Sequence, residues 1–512
     1  IISNVARGTN ISYSSWEPAI LYLNGDFWGI YGVREKIDEH YVENNFAVPS
    51  ESVDLMNTFE VLNGEGFSFH SDAEQILNLD PESDGFVNAF GSVFDLDSYI
   101  DYFVFETFTQ NSDWIGIFWN ANNMKLFRSD QLDGKWRYAM YDMDASYGYF
   151  GAGLSDNYIE YARNPGFEND HSMIFDHVLE NNEFKCLFVN RYADLLNTNF
   201  RQDYFNNVVD SMYSLLSATM PLNIQRWGQV GSYNDWLSSV QSIKYHNYNR
   251  LNPARNNVVN SFGLPGTVDL ILDVFPNGAG QVKISTIVPE TFPWTGEYFK
   301  GCPVQIEAFP NEGFGFVEWQ NNMHINEGDM AANSQTVNVE LLDDDAFIAI
   351  FQPCLSSISV SLQNIGDLLI PVLNDSYIVS SYAWFLDGVL IGNGPFYTPL
   401  SSGEYYLLIE INGCQFQSDI LNYDVNGIDN LNGIQISISP NPASDYIVVK
   451  KHSDVGLSLS ITDIHGRGTH ITNQPLNDIN NRFDISNLSR GMYEVILESD
   501  RGQLSSQRFI KE

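Results

Sequence analysis

Basic side chains are scarce in this chain. It has 25 Lys and Arg against 65 Asp and Glu, a formal net charge of −40. A field of that sign repels nucleic acid and anionic membrane, so neither is expected as a partner. An anionic nucleotide such as ATP is admitted only where divalent cations offset the charge locally. Cysteine is scarce too, at four residues, and no C-x-x-C pair is available for a zinc site. Cys186 and Cys302 lie far apart in different regions. Cys354 and Cys414 bracket one compact β segment, and a disulfide between them is expected in an oxidising compartment. No run of about 18 apolar residues is present, so no transmembrane segment is expected. No signal-peptide pattern is read at its start. The chain opens at Ile1, without methionine, almost directly in core-like sequence, and reads as a fragment that has lost an upstream part.

What is present is ample for packed cores. Hydrophobic residues make up 44% and aromatics 14% of the 512 residues, which excludes a disordered chain and suggests roughly three or four domains. Residues 1 to about 263 mix helical and strand patterns. Ala19 to Leu23 reads as a strand, Asn24-Gly25 as a hairpin turn and Trp28 to Val33 as the partner strand. Ser98 to Thr109 has helical apolar spacing, as do Ile174 to Leu196, Phe205 to Leu216 and Val240 to Phe262. The last of these stops at Gly263 and Pro265, a helix ending followed by a linker. Residues 266–352 and 353–425 alternate in short strands with Gly and Pro turns. A polar linker follows Asn426, and residues 434–512 form a last small β module. The spacing argues sandwich-like modules.

The most informative stretch runs from Asn111 to Gly148. Asp113 follows the Ser98–Thr109 helix, Asn122 and Asn123 open a strand from Met124 to Arg128, and a second strand, Trp136 to Tyr141, delivers Asp142 and Asp144. Phosphoryl transfer to a hydroxyl needs a carboxylate to accept the proton. It also needs an amide oxygen and a second carboxylate to hold magnesium against the phosphates. Protein kinases supply those groups in this chain order. Asp and Asn also dominate ordinary turns, so the order alone leaves both readings open.

Further motifs carry a resemblance. The string ILYLNGDFWGIYGVREKID (Ile20 to Asp38), with SDW, NNMKLFR, GKWRYAMYDMDASYG and RYADLLNTNF, resembles the spore coat protein H (CotH) kinase family over residues 1–263. The resemblance implies an atypical protein-kinase-like fold that transfers phosphate from ATP, with Mg2+, to serines of a partner protein. It makes Asp113 the catalytic base and Asn123, beside Asn122, a metal ligand. Asp142 becomes the main magnesium carboxylate, and Asp144, two residues on along the same strand face, a second. Glu35 and Lys36 match the family's Arg-Glu-Lys motif, where a nucleotide base could dock. In the family, as in typical kinases, about five residues separate the aspartate from the asparagine; here the separation is ten. The family's upstream lobe, with the lysine expected to grip the phosphates, would precede Ile1, so the chain is expected to be an incomplete phosphotransferase.

Residues Ile436 to Val449 (ISISPNPASDYIVV), with SITDIHGRG and FDISNLSRGMYEVILESDRGQLSSQRFIKE, resemble the type A sorting domain of the type IX secretion system. Pro440-Asn441-Pro442-Ala443, Asp463, Gly466, Leu488, Gly491 and Tyr493 fall in order, Gly466 is expected to supply a hairpin, and Lys511 fits the basic terminus. This implies engagement of the secretion machinery by residues 434–512, export from a Bacteroidota-type bacterium, and a secreted or outer-membrane-attached protein. Residues 266–352, with Gly313-Phe314-Gly315-Phe316-Val317-Glu318-Trp319, resemble bacterial repeat modules. Residues 353–425 resemble immunoglobulin-like or PKD-like modules. The expected fold is therefore multidomain: an α+β kinase-like domain followed by three small all-β modules. The expected function is phosphorylation of a protein substrate at the cell surface. Two alternatives stand beside it: a catalytically inactive pseudokinase, and an adhesin-like binding protein whose Trp114 or Trp119 contacts carbohydrate.

Overall fold

The computed structural model describes residues 1–64, 67–321, 323–328, 330–354, 358–365, 368–411, 413–423, 436–451, 457–463, 467–469, 471–472, 474–476, 480–499 and 504–512. Gly466, the linker after Asn426 and the boundary at residue 434 lie outside these. The chain forms two compact units, one of residues 1–311 and 318–351, the other of residues 312–317 and 352–512.

The first unit is built around the helix Leu96–Thr109. Asp95 caps it by accepting from the Ser98 N–H at 3.0 Å. Every residue from Ser98 to Thr109 is buried, so this helix is enclosed on all sides by protein rather than amphipathic. It packs against a five-stranded sheet made of β1 (Ser12–Tyr13), β4 (Val53–Asn57), β5 (Glu60–Asn63), β6 (Lys125–Ser129) and β7 (Arg137–Met140), in the order β1-β7-β6-β4-β5. Only the β1–β7 pair is parallel; β7–β6, β6–β4 and β4–β5 are antiparallel. The hairpin read at Asn24-Gly25 is present as β2 (Trp16–Leu23) and β3 (Asp26–Arg34), a separate two-stranded ribbon.

The helix expected over Ile174 to Leu196 is two helices, Asp170–Val178 and Asn182–Asn197. The break falls at Asn181, whose side chain accepts from the Phe184 N–H at 2.8 Å and starts the second helix. An asparagine that caps locally outcompetes a continuous helix there. The long helix Tyr233–Phe262 ends at Gly263, in the left-handed conformation (φ 61°). From its buried face Arg250 donates to the carbonyls of Thr107, Phe108 and Leu154. The first two belong to the last turn of Leu96–Thr109, where a cation suits the exposed carbonyls.

Residues 267–311 and 318–351 pack on this region within the same unit. The strands here are β8 (Thr267–Phe275), β9 (Gly280–Ile284), β10 (Trp294–Phe299), β11 (Val304–Pro310), β12 (Phe314–Gln320), β13 (Thr336–Val339) and β14 (Asp345–Pro353); β8 alternates, with Val268, Leu270, Leu272 and Val274 inward. Strand β8 runs antiparallel to β10 and parallel to β14, while β13-β11-β9 form a second sheet. The joint to Asn182–Asn197 is polar and covalent. Buried Asp194 accepts from Thr286 N (3.0 Å), Thr286 Oγ1 (2.6 Å) and Tyr298 Oη (2.6 Å). Asn197 exchanges two hydrogen bonds with the Glu297 backbone, and Asn190 donates to Pro303 O. Cys186 and Cys302, which sequence left apart, are disulfide-bonded; the fold brings together positions 116 residues distant.

In the second unit the expected Cys354–Cys414 disulfide is present. Val360, Leu362, Leu369, Trp384, Tyr405, Leu407, Ile409 and Ile411 form its first core. A last core draws Ile438, Ile447 and Val449 from one sheet and Leu459, Ile461, Val495 and Leu497 from another. The stripe Tyr493-Val495-Leu497 faces inward as its alternation predicts. The architecture is thus a helix-and-sheet region followed by small all-β sheets.

Candidate functional site

The helix Leu96–Thr109 stops at Gln110, which is left-handed (φ 58°). The chain turns back at once, Asn111 N–H bonding to Glu106 O. Two residues later Asp113 meets the asparagine pair. Asn123 Nδ2 donates to Asp113 Oδ2 (3.0 Å) and to Asp113 O (3.2 Å), and Asn122 Nδ2 reaches the same Oδ2 at 3.3 Å. The ten-residue separation therefore closes on itself. Within the excursion Gly116 (φ 89°) lies so near Phe167 O that an added Cβ would sit 2.3 Å from it. Asn169 Nδ2 donates to Ile115 O at 2.9 Å, pinning the same turn.

Asp142 comes from the opposite side. Strand β7 ends at Met140, Asp142 is left-handed (φ 49°), and a single helical turn, Met143–Ala145, follows. Asp144 is therefore not on a strand face with Asp142, as expected from sequence: the strand has ended, and the two carboxylates flank the start of a 3-10 turn. Backbone bonds from Ser112 N to Ala145 O (3.1 Å) and from Tyr147 N to Thr109 O (2.8 Å) stitch this loop to the Asp113 loop. Partial burial, then the neighbouring Asp144, push the Asp142 carboxyl above the usual carboxylate range; Arg34 opposes and Asp113 adds to the rise. Asp113, Asn122, Asn123, Asp142 and Asp144 thus occupy one locality, with Arg34 as a facing cation.

Backbone strain gathers in the same place. Of ten non-glycine residues with positive φ among the described residues, Gln110, Ile115, Asn123, Asp142 and Tyr147 are five. Ile115 is β-branched, for which this conformation is least comfortable. Such positions persist only where surrounding contacts impose them, and they collect at functional sites.

Glu35 and Lys36 stand just past β3. The exposed Lys36 pairs with Asp38 at 3.2 Å, and Glu35 Oε1 accepts from Asn45 Nδ2 at 2.9 Å. Neither contacts the Asp113 cluster through a described bond. Sequence reading passed over Lys125, on β6 two residues after Asn123. It is buried, donates to Ile37 O at 2.8 Å and lies 4.4 Å from the Tyr141 ring centroid. Burial, then the nearby Lys36, lower its pKa. A lysine inside the apolar run Met124–Phe127 was the available signal. Trp114 is buried, with Nε1 bonded to Tyr102 Oη at 2.9 Å, so it presents no face to a sugar. Phe118 and Trp119 are exposed, in contact with each other and, through Trp119, with the exposed Phe150. The exposed His40 and His70 lie beside Glu43 and Asp170.

The fold is that of a multidomain protein, an α+β first region followed by small all-β sheets. Residues 1–252 match the family described as CotH kinase protein, and residues 437–512 match the secretion system C-terminal sorting domain. The chain therefore carries a CotH kinase region and a sorting tail, and is a secreted protein attached at the cell surface. Among the described residues no helix is long and apolar enough to cross a membrane. No curated protein matches the chain. Solved structures similar to it include a three-immunoglobulin-domain segment of titin (9% identity, 48% of this chain and 95% of that one, TM-score 0.12). Another is the N-terminal four immunoglobulin domains of a Dscam1 isoform (10% identity, 42% and 72%, TM-score 0.11). Likeness at that level carries no argument.

Proposed function

We propose that the protein is a CotH-type phosphotransferase that moves the γ-phosphate of ATP to a serine of a protein partner outside the cell. The observation that supports this best is the Asp113–Asn123 contact at 3.0 Å beside the Asp142–Asp144 pair. Asp113 would accept the proton of the serine hydroxyl, its carboxylate oriented by the amides of Asn122 and Asn123. Glu35 and Lys36 would border the nucleotide base. We further infer that the modules divide at 1–263, 266–352, 353–425 and 434–512.

The residues fit a magnesium ion. Asp142 is crowded by two like charges, Asp144 and Asp113, which Arg34 opposes without cancelling the rise, so a further cation would be favoured there. Among the described residues no three His, Cys, Asp or Glu side chains make a ready cage. That suits an ion bound by one or two carboxylates and completed by substrate phosphates and water. Asn123, Asp142 and Asp144 would hold it, and when bound it would neutralise charge on the phosphate oxygens.

Calorimetric titration of the full chain with ATP, with and without magnesium, tests the reading. Magnesium-dependent binding that is lost in Asp142→Ala is the expected result, with loss of phosphate transfer in Asp113→Ala. Binding indifferent to both magnesium and Asp142 would overturn it. A binding-module reading has one observation in its favour, the exposed rings of Phe118, Trp119 and Phe150. It would be preferred if Trp119→Ala abolished capture of a partner while nucleotide had no effect.

A further inference from the structure

We propose that Glu106, acting with Tyr102 and Asn111, is a positioning device that sets the backbone of Asp113; the proposal rests on the phosphotransferase reading for the purpose it assigns. Tyr102 and Glu106 lie one turn apart on the helix Leu96–Thr109, both fully buried. From this one face, contacts reach the chain on each side of Asp113. Asn111, two residues before it, donates from Nδ2 to Glu106 Oε2 at 3.0 Å and accepts the Asp113 N–H on Oδ1 at 3.2 Å. Trp114, one residue after it, donates from Nε1 to Tyr102 Oη at 2.9 Å. The Tyr102 hydroxyl interacts in turn with the Glu106 carboxyl. Asp113 is therefore bracketed, and both arms of the bracket end on one face of this helix, at Glu106 and at Tyr102. Asn111 Nδ2 also lies 3.5 Å from Met143 Sδ, beside Asp142, so the device touches the second loop of the site.

Packing alone does not account for a carboxyl here. The aromatic core around the helix would accept a leucine or methionine without desolvating a polar group, and Glu106 Oε1 has no described hydrogen-bond partner. What a leucine cannot do is accept the Asn111 amide, and an unheld Asn111 leaves the Asp113 N–H without its acceptor. Burial also raises the Glu106 pKa to about 8, so the group is mostly neutral at pH 7. A glutamine can take its place with the same shape and the same acceptor oxygen.

The test compares the full-length wild type with Glu106→Gln, Glu106→Leu and Asn111→Ala. Steady-state transfer from radiolabelled ATP gives kcat and KM, and hydrogen–deuterium exchange reads the amide of Asp113. Glu106→Leu and Asn111→Ala are expected to lower kcat at least 30-fold while KM for ATP stays within threefold. Their Asp113 amide should exchange at least tenfold faster. Glu106→Gln should keep at least a third of wild-type kcat and wild-type exchange. Should Glu106→Leu fail to fold, Asn111→Ala carries the decision. Unchanged kcat and unchanged exchange in Asn111→Ala would overturn the proposal, as would a loss in Glu106→Gln equal to that in Glu106→Leu. A wild type without turnover would remove the phosphotransferase reading alone; the exchange rates would still decide whether the bracket exists.

Discussion

Glu106 and His171 make the stability of the first unit depend on pH in opposite senses. Burial raises the Glu106 pKa to about 8, so between about 4.5 and 8 the folded state holds a proton that the unfolded state has released. Stability from this group is complete below its unfolded pKa and is lost as pH rises through the folded one, on the order of 1 kcal/mol per pH unit. Glu106→Gln should therefore unfold at higher denaturant concentration than wild type at pH 7.5 and differ little at pH 4. His171 is enclosed by Phe69 and Phe59, bonded to Tyr138 Oη (2.7 Å), and held near a pKa of about 4 by burial. Its folded pKa lies below the unfolded one, so its contribution is present above about pH 6.5 and fades as pH falls towards 4. Denaturant midpoints of His171→Gln against wild type at pH 7 and pH 4.5 should show the acid-side loss reduced in the variant. A third residue test concerns Gly116. A methyl there meets Phe167 O in a conformation that L residues rarely adopt. Gly116→Ala should cost about 1–3 kcal/mol and weaken phosphate transfer, since it displaces the excursion that returns to Asn123.

Elements show why part of this was legible and part was not. The central helix was legible over Ser98 to Thr109 from its apolar spacing; it begins two residues earlier, at Leu96, behind the cap Asp95. The strands flanking the Asn122–Asn123 and Asp142 turns were legible to within a residue or two, because a β-rich run bounded by Asn, Asp and Gly has few alternatives. The course of the chain beyond Met140 was not. Whether Asp144 continues a strand depends on the Ser112–Ala145 bond, which joins segments with no mutual sequence signal. Burial of Trp114 beside exposed Trp119 was hidden for the same reason, since both sit in one unpatterned loop. The joint formed by Asn182–Asn197 was equally silent, because the partners of Asp194 lie about a hundred residues downstream. Asp194→Ala would leave the buried Tyr298 hydroxyl without its acceptor and would undo the two bonds from Thr286 that hold the joint. It should destabilise the first unit by about 3–5 kcal/mol, read as a shift in the denaturant midpoint with little change in slope.

At the scale of the molecule, charge and covalent closure dominate. A net charge of −40 makes the protein a poor host for a free nucleotide at low salt. Affinity for magnesium-ATP is therefore expected to rise between 10 and 150 mM monovalent salt, as screening shortens the reach of the repulsion. Titrations at the two salt concentrations check this, and a fall in affinity would count against it. The Cys186–Cys302 bond gives residues 267–351 a standing that a spacer lacks. A protease that cut between Gly263 and Gly266 would nick the chain without parting it. The fragments would travel as one species until a reductant was added. Outside the cell, where peptidases are abundant and thiols scarce, the kinase-like region could lose its chain continuity at that joint and still keep its neighbour.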